Sequence, residues 1–255
     1  MATVRVLVLR AAGINCDEET AFAWELAGAK AERMHVKRLI EESSLLGSFQ
    51  VLTIPGGFSY GDDIASGKIL AIQLQHRLGE ALRGFIDAGG LVLGICNGFQ
   101  VLVRMGILPG ADCSVPVTLA LNDSGRYEDR WVHLRAEDCP NAFLAPGEVL
   151  ALPVAHGEGK FLPEGGETGL SVLESQKRVA LRYVATDGGP PSFPANPNGS
   201  IGNVAGLIDA SGRVFGLMPH PERNVQATQS PDRMRAGAGA GDGRRVFERA
   251  VGLLA

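Results

Sequence analysis

Apolar and polar positions follow two textures along this chain. Up to about residue 110, short apolar runs bounded by glycine and proline take turns with longer stretches of helical periodicity. Residues 4–9 (Val-Arg-Val-Leu-Val-Leu) predict a first strand, and residues 17–26 a helix whose start is marked by Asn15 and Asp17. Residues 30–36 predict a second strand after the Gly28 stop, and residues 51–54 a third that ends at Pro55-Gly56-Gly57. Between 67 and 88, Ile69, Leu70, Ile72, Leu74, Leu78, Leu82 and Phe85 line one side of a helix. Gly89-Gly90 then turns the chain into the apolar run 91–95, and a helical pattern resumes with Phe99, Leu102 and Val103.

Beyond residue 110 the segments shorten. Residues 114–121, 130–136, 148–154, 170–174 and 179–186 alternate between Gly, Pro and Asn boundaries, which predicts antiparallel strands that extend or flank the sheet. Residues 204–208 and 213–218 face each other across Asp209-Ala210-Ser211-Gly212 as a hairpin, and residues 244–254 predict a closing helix. The Ala/Gly run 235–241 predicts a mobile surface loop. This rhythm implies an α/β fold: a doubly wound, mostly parallel sheet flanked by helices, with additional antiparallel strands. It reads as one domain over residues 1–255, with its site at the carboxyl ends of the strands.

Composition narrows the function. A 255-residue chain with 45% hydrophobic residues can bury a sizeable core, and a net charge of −4 spread along the sequence gives no basic field for nucleic acid or an anionic membrane. The expected partner is a protein or a small molecule. The four cysteines stand far apart, with no C-x-x-C pair and no neighbouring histidine at ligand spacing, so no metal site is expected. The chain opens directly into a strand pattern without a leader, and no apolar run approaches a membrane span, which predicts a cytoplasmic protein.

Chemistry concentrates at Gly94-Ile95-Cys96-Asn97-Gly98, a thiol between two glycines where a strand pattern meets a helix pattern. A nucleophile at such a bend is presented at the end of a buried strand, and glycines remove the side chains that would collide there. It also sits at a helix N-terminus, whose unpaired N–H groups favour negative charge and could receive an oxyanion. A nucleophilic thiol needs a base and the base an orienter. The sequence offers His156-Gly157-Glu158 and His220-Pro221-Glu222. Either could place a carboxylate on one imidazole nitrogen, though His220 follows an apolar strand and a proline stiffens its pair, whereas His156 reads as lying in a glycine-rich loop. Cys16, at the first strand-to-helix turn, is a rival nucleophile, but it lacks the close glycines, which favours a packing role. Asn196-Pro197-Asn198-Gly199-Ser200 reads as a turn, and Pro55 to Asp63 as a glycine turn whose N–H groups could meet an oxyanion.

Three motifs together resemble the class I, triad-type glutamine amidotransferases of flavodoxin-like fold: Gly94 to Gln100, Pro55-Gly56-Gly57-Phe58-Ser59-Tyr60-Gly61-Asp62, and His220-Pro221-Glu222-Arg223. His156 to Phe161 and Asn196 to Ser200 narrow the resemblance to the glutaminase subunits of phosphoribosylformylglycinamidine synthases. The resemblance implies Cys96 as nucleophile, His220 as base and acid, and Glu222 as orienter. It implies an oxyanion hole at the backbone of Gly57 and Asn97, and Gln100 as a residue holding the substrate, L-glutamine. It further implies no cofactor in this chain, a partner synthetase subunit that binds ATP and Mg²⁺, and a small bridging subunit. The first loop has Ala12 where the family usually has proline, and the Ala/Gly run before the last helix is longer than the family's. Two other readings stay open: an amidotransferase serving a different acceptor, and a thiol sensor or chaperone built on a similar sheet.

Overall fold

The computed structural model describes residues 3–186, 191–231, 234 and 239–255. The first half alternates as its pattern requires: β1 (Arg5–Arg10), α1 (Asp17–Leu26), β2 (Lys30–His35), α2 (Val36–Glu41), β3 (Val51–Ile54), α3 (Lys68–Asp87), β4 (Leu91–Ile95) and α4 (Asn97–Arg104). β1, β3 and β4 are apolar and buried along most of their length, as strands covered on both faces must be. The second half supplies β5 (Val117–Leu121), β6 (Glu128–Ala136), β7 (Val149–His156), β8 (Glu158–Pro163), α5 (Glu167–Ser175), β9 (Val179–Val184), β10 (Val204–Ile208), β11 (Val214–Leu217) and α6 (Arg244–Leu254).

Nine strands form one sheet in the order β2-β1-β3-β4-β11-β10-β9-β6-β7, and β5 pairs with β8 in a separate ribbon. Pairing is parallel from β2 through β11 and antiparallel from β11 onward. The core is continuous across the sheet; on one side Trp24 of α1 donates to Thr53 Oγ1 at 2.9 Å and meets Phe247 of α6 edge-on at 5.0 Å. The hairpin 204–208/213–218 is present as β10 and β11, and it delivers residue 220 beside the end of β4.

Two expectations change. Residues 170–174 are not a strand but the middle of α5, with Gly169, Leu170 and Leu173 buried. Over five residues Leu170 and Val172 fit a two-residue period while Leu170 and Leu173 fit a helical one, and the longer frame decided. Residues 156–161 lie at the end of β7 and in β8 rather than in a loop. The mobility expected of the Ala/Gly run concerns residues of which 235–238 fall outside the described set; its last part is tied down, with Ala227 N–H donating to Gly239 O at 3.0 Å.

β7 ends the sheet, and its outer edge is closed by other groups. Ala151 N–H donates to Asp242 Oδ2 (2.9 Å), Ala151 O accepts from Asn224 Nδ2 (2.7 Å), Val149 O from Arg245 Nη1 (3.3 Å), and Pro153 O from the backbone N–H of His220 (2.8 Å). The last bond joins the far end of the sheet to the segment after β11, so the end of β7 lies against the carboxyl ends of the central strands.

Candidate active site

β4 ends at Ile95 and α4 begins at Asn97, so Cys96 alone makes the turn. Its backbone has φ 50° and ψ −105°, a conformation costing on the order of 1–3 kcal/mol that persists only where surrounding packing enforces it. Gly94 and Gly98 allow that packing: a Cβ on Gly98 would collide with the Ile54 carbonyl, and one on Gly94 would stand 2.8 Å from Gly98 O. Cys96 N–H donates to Leu217 O at 2.8 Å, which locks the bend to β11. Residue Cys96 is 5% exposed, and its sulfur is 3.7 Å from Ala155 O at the end of β7.

His220 emerges between Pro219 and Pro221, and a single 3-10 turn (Pro221–Arg223) folds the chain back so that Glu222 Oε1 lies 2.6 Å from His220 Nδ1. The turn, rather than an extended segment, brings the pair together. Both side chains are buried, and His220 Nε2 and Glu222 Oε2 have no hydrogen-bond partner among the described residues. Burial works against a charged imidazole, but the Glu222 carboxylate, the Cys96 sulfur and the Cys16 sulfur outweigh it and hold His220 well above the usual histidine range. With Nδ1 engaged by the carboxylate, Nε2 is the nitrogen left for proton transfer.

Gly57 follows β3 at φ 141°, a value glycine tolerates, in an isolated bridge to Ile14. Neither its N–H nor that of Asn97, the first residue of α4, is claimed by another described group. Asn97 also pins the loop that carries Gly57: its Oδ1 accepts from Ser59 N–H (3.2 Å), and its Nδ2 donates to Asp62 Oδ1 (3.2 Å) and Gln100 Oε1 (3.0 Å). Burial pushes the Asp62 carboxyl up, against the pull of its hydrogen bonds to Gly67, Ser66 and Asn97. Gln100 lines the same cleft as Cys96 and donates to Glu158 O at 2.5 Å.

His156 also lines the cleft, but Glu158 does not orient it. Glu158 Oε2 takes Ser66 N–H (3.3 Å) and faces Arg104 Nη2 (3.6 Å), while His156 Nδ1 meets Asn122 Oδ1 at 3.1 Å. Since Asn122 Nδ2 donates to the carbonyls of Arg126 and His156, its Oδ1 accepts, so His156 carries its proton on Nδ1. Burial, then the charge of His220, lowers the His156 pKa to about 3. Asn196 to Ser200 is the expected turn, and it braces β8: Asn198 Nδ2 donates to Gly159 O (2.8 Å) and Ser200 Oγ accepts from Phe161 N–H (3.0 Å). Asp62 belongs to the 55–62 motif, whereas Asn122 carries this scaffold without any sequence signal beyond a turn-forming residue.

Cys16, at the N-cap of α1, is fully buried. Its sulfur, a His220 ring nitrogen and a Glu222 oxygen lie within 4.8 Å of one another, the spacing of a possible cation site. Arg223 Nη2 already donates to the sulfur at 3.1 Å, and one imidazole nitrogen is paired with one carboxylate oxygen. A cavity of about 670 Å³ between residues 43–50 and the end of α3, far larger than the cleft at Cys96, is lined by no cysteine, histidine or carboxylate, so size does not mark the site.

A thiol at a strained strand-to-helix bend, two free N–H donors and a buried imidazole–carboxylate pair define a class: cysteine-dependent acyl transfer on an α/β sheet. Residues 3–253 match the family model described as "CobB/CobQ-like glutamine amidotransferase domain", and the chain belongs to that family. Curated relatives include phosphoribosylformylglycinamidine synthase subunit PurQ of Dehalococcoides mccartyi, 44% identical and covering 98% of each chain. The subunit of the same name from Archaeoglobus fulgidus is 40% identical over 98% of this chain and 97% of its own. Among solved structures, that of PurLQS from Thermotoga maritima aligns with TM-score 0.74 at 30% identity over 100% of both chains. A glutamine amidotransferase of the same organism, 16% identical over 100% of this chain and 96% of its own (TM-score 0.52), shares the fold.

Proposed function

We propose that this chain is the glutaminase subunit of a phosphoribosylformylglycinamidine synthase, acting as one domain. Cys96 attacks the side-chain carboxamide of L-glutamine, and the N–H groups of Gly57 and Asn97 receive the oxyanion. His220, held by Glu222, gives the departing ammonia its proton. Water then cleaves the glutamyl thioester with His220 as base, releasing glutamate. The observation that carries this reading is the buried 2.6 Å His220–Glu222 pair beside the Cys96 bend.

Making an amidine from an amide requires activation of the amide oxygen. The sequence holds no phosphate-binding P-loop, so ATP and Mg²⁺ belong to a synthetase subunit that receives the ammonia, with a small subunit bridging the two. The relatives named after this enzyme over nearly their whole length support those partners. A cytoplasmic location accords with a free thiol at the site and with purine synthesis; no described helix is long and apolar enough to cross a membrane.

The test is reconstitution with the synthetase and bridging subunits. Cys96→Ala abolishes glutamine-dependent amidine formation and leaves the ammonia-dependent reaction intact, because the two chemistries lie on different chains. Glutamine-protectable labelling of Cys96 by 6-diazo-5-oxo-norleucine separates this reading from a thiol sensor. Glutamine-driven turnover surviving in the alanine variant overturns the proposal.

A further inference from the structure

The mechanism above gives no task to Cys16, although the fold brings its sulfur beside the imidazole. A Cβ on Gly56 would stand 3.2 Å from Cys16 Sγ and 2.7 Å from His220 Cε1, so both groups press on the same point of the backbone after β3. The thiol is fully buried, and burial pushes it up, toward the neutral form. It is placed to accept from Arg223 Nη2 at 3.1 Å and to donate to Asn15 Oδ1 at 3.3 Å.

Arg223 is the residue next to Glu222. Its guanidinium makes its hydrogen bonds toward α1, with Nε on Glu19 Oε1 at 3.2 Å and Nη2 on the Cys16 sulfur, and it forms no ion pair with the Glu222 carboxylate that lies near it. Meanwhile Glu222 Oε2 is buried without a partner, in a carboxylate that comes within 4.8 Å of that sulfur. A buried unpaired carboxylate oxygen and a neighbouring guanidinium attract strongly. Something must keep them apart, and the groups in place to do so are those on α1.

We propose that Cys16 is a positioning residue of the glutaminase site: its buried sulfur holds the Arg223 guanidinium off Glu222 and so reserves that carboxylate for His220. The inference rests on the proposed glutaminase reading. Without an acceptor at position 16, Arg223 swings onto Glu222 and neutralises it, and the imidazolium loses its counter-charge. The other charged or titratable groups facing the imidazole are Cys96 at the head of α4 and His156 at the end of β7, with Tyr127, just before β6, further out. None of these needs to move.

The experiment follows glutamate release by the reconstituted complex as a function of pH in Cys16→Ala, Cys16→Ser, Arg223→Gln and the double variant C16A/R223Q. C16A lowers kcat about tenfold with KM nearly unchanged, the signature of a lost transition-state contribution. Its alkaline limb, where His220 must still hold the proton destined for ammonia, moves to lower pH. Serine, which also accepts and donates, restores both. In the R223Q background the identity of residue 16 ceases to matter, because the cation it restrains is gone. Cys16→Val, filling the site without accepting, gives the same readout where C16A does not fold. Equal losses in both backgrounds, an effect confined to KM, or an unmoved alkaline limb overturns the proposal. Cys96→Ala in the same assay tests the glutaminase reading separately.

Discussion

His156 and His220 each stand two residues ahead of a glutamate, and both imidazoles are buried beside one cleft, yet their environments drive them in opposite directions. At 220 the intervening residue is Pro221 in a tight turn, which folds Glu222 onto the ring. At 156 the intervening Gly157 separates two strands, so Glu158 starts β8 and bonds to Ser66, and the ring goes to the neutral amide of Asn122. Placing a carboxylate on the ring makes a base that can carry a proton. Placing an amide there makes a neutral ring with a fixed tautomer. The peptide between histidine and glutamate decides which.

The largest expected difference between the two pairs is catalytic. Glu222→Gln keeps the shape and removes the charge, and kcat for glutamine falls on the order of 10²–10⁴-fold, as for other orienting carboxylates. Glu158→Gln leaves kcat within about tenfold, since its carboxylate touches no base. Comparable losses in steady-state assays of the two variants would erase the distinction.

A smaller contrast lies in stability against pH. His156, lowered to about 3, stays neutral in the folded chain while the unfolded chain takes up a proton below about 6.5. Stability therefore falls with acidification across that window, by up to about 1.4 kcal/mol per pH unit. His220 is raised, so its contribution is present below about pH 6.5 and is lost as pH rises through its folded value. Urea unfolding across this range should show His156→Asn relieving the acid-side loss and His220→Asn flattening the alkaline side. Parallel profiles for the two variants would contradict the opposite signs.

The motif chemistry was legible because it depends on local backbone. Gly94-Ile95-Cys96-Asn97-Gly98 announces a bend at which side chains cannot fit, and the bend is there. The rhythm of 4–9, 51–54 and 91–95 likewise leads to parallel strands. Two kinds of information were out of reach. Residues 170–174 fit two periods at once, and neighbours outside the window settled them. The partners of His156 and Cys16 are distant in the chain: Asn122 and Arg223 meet them only through the way β7 and the 220–223 turn pack on the central strands, which no spacing rule records. Cys16, weighed as a rival nucleophile and read as better suited to packing, is buried, but its sulfur lies against the proposed base, which the sequence did not indicate.

The sealed margin of β7 bears on how this molecule can associate. Where a terminal strand would ordinarily offer a row of bare amides to any extended segment drifting past, carbonyls 149, 151 and 153 and the amide of 151 are already occupied from within the chain. A neighbouring subunit therefore cannot enlarge the ladder at those positions. Recognition there has to proceed through shape and side-chain chemistry, which distinguishes one neighbour from another better than backbone zippering does.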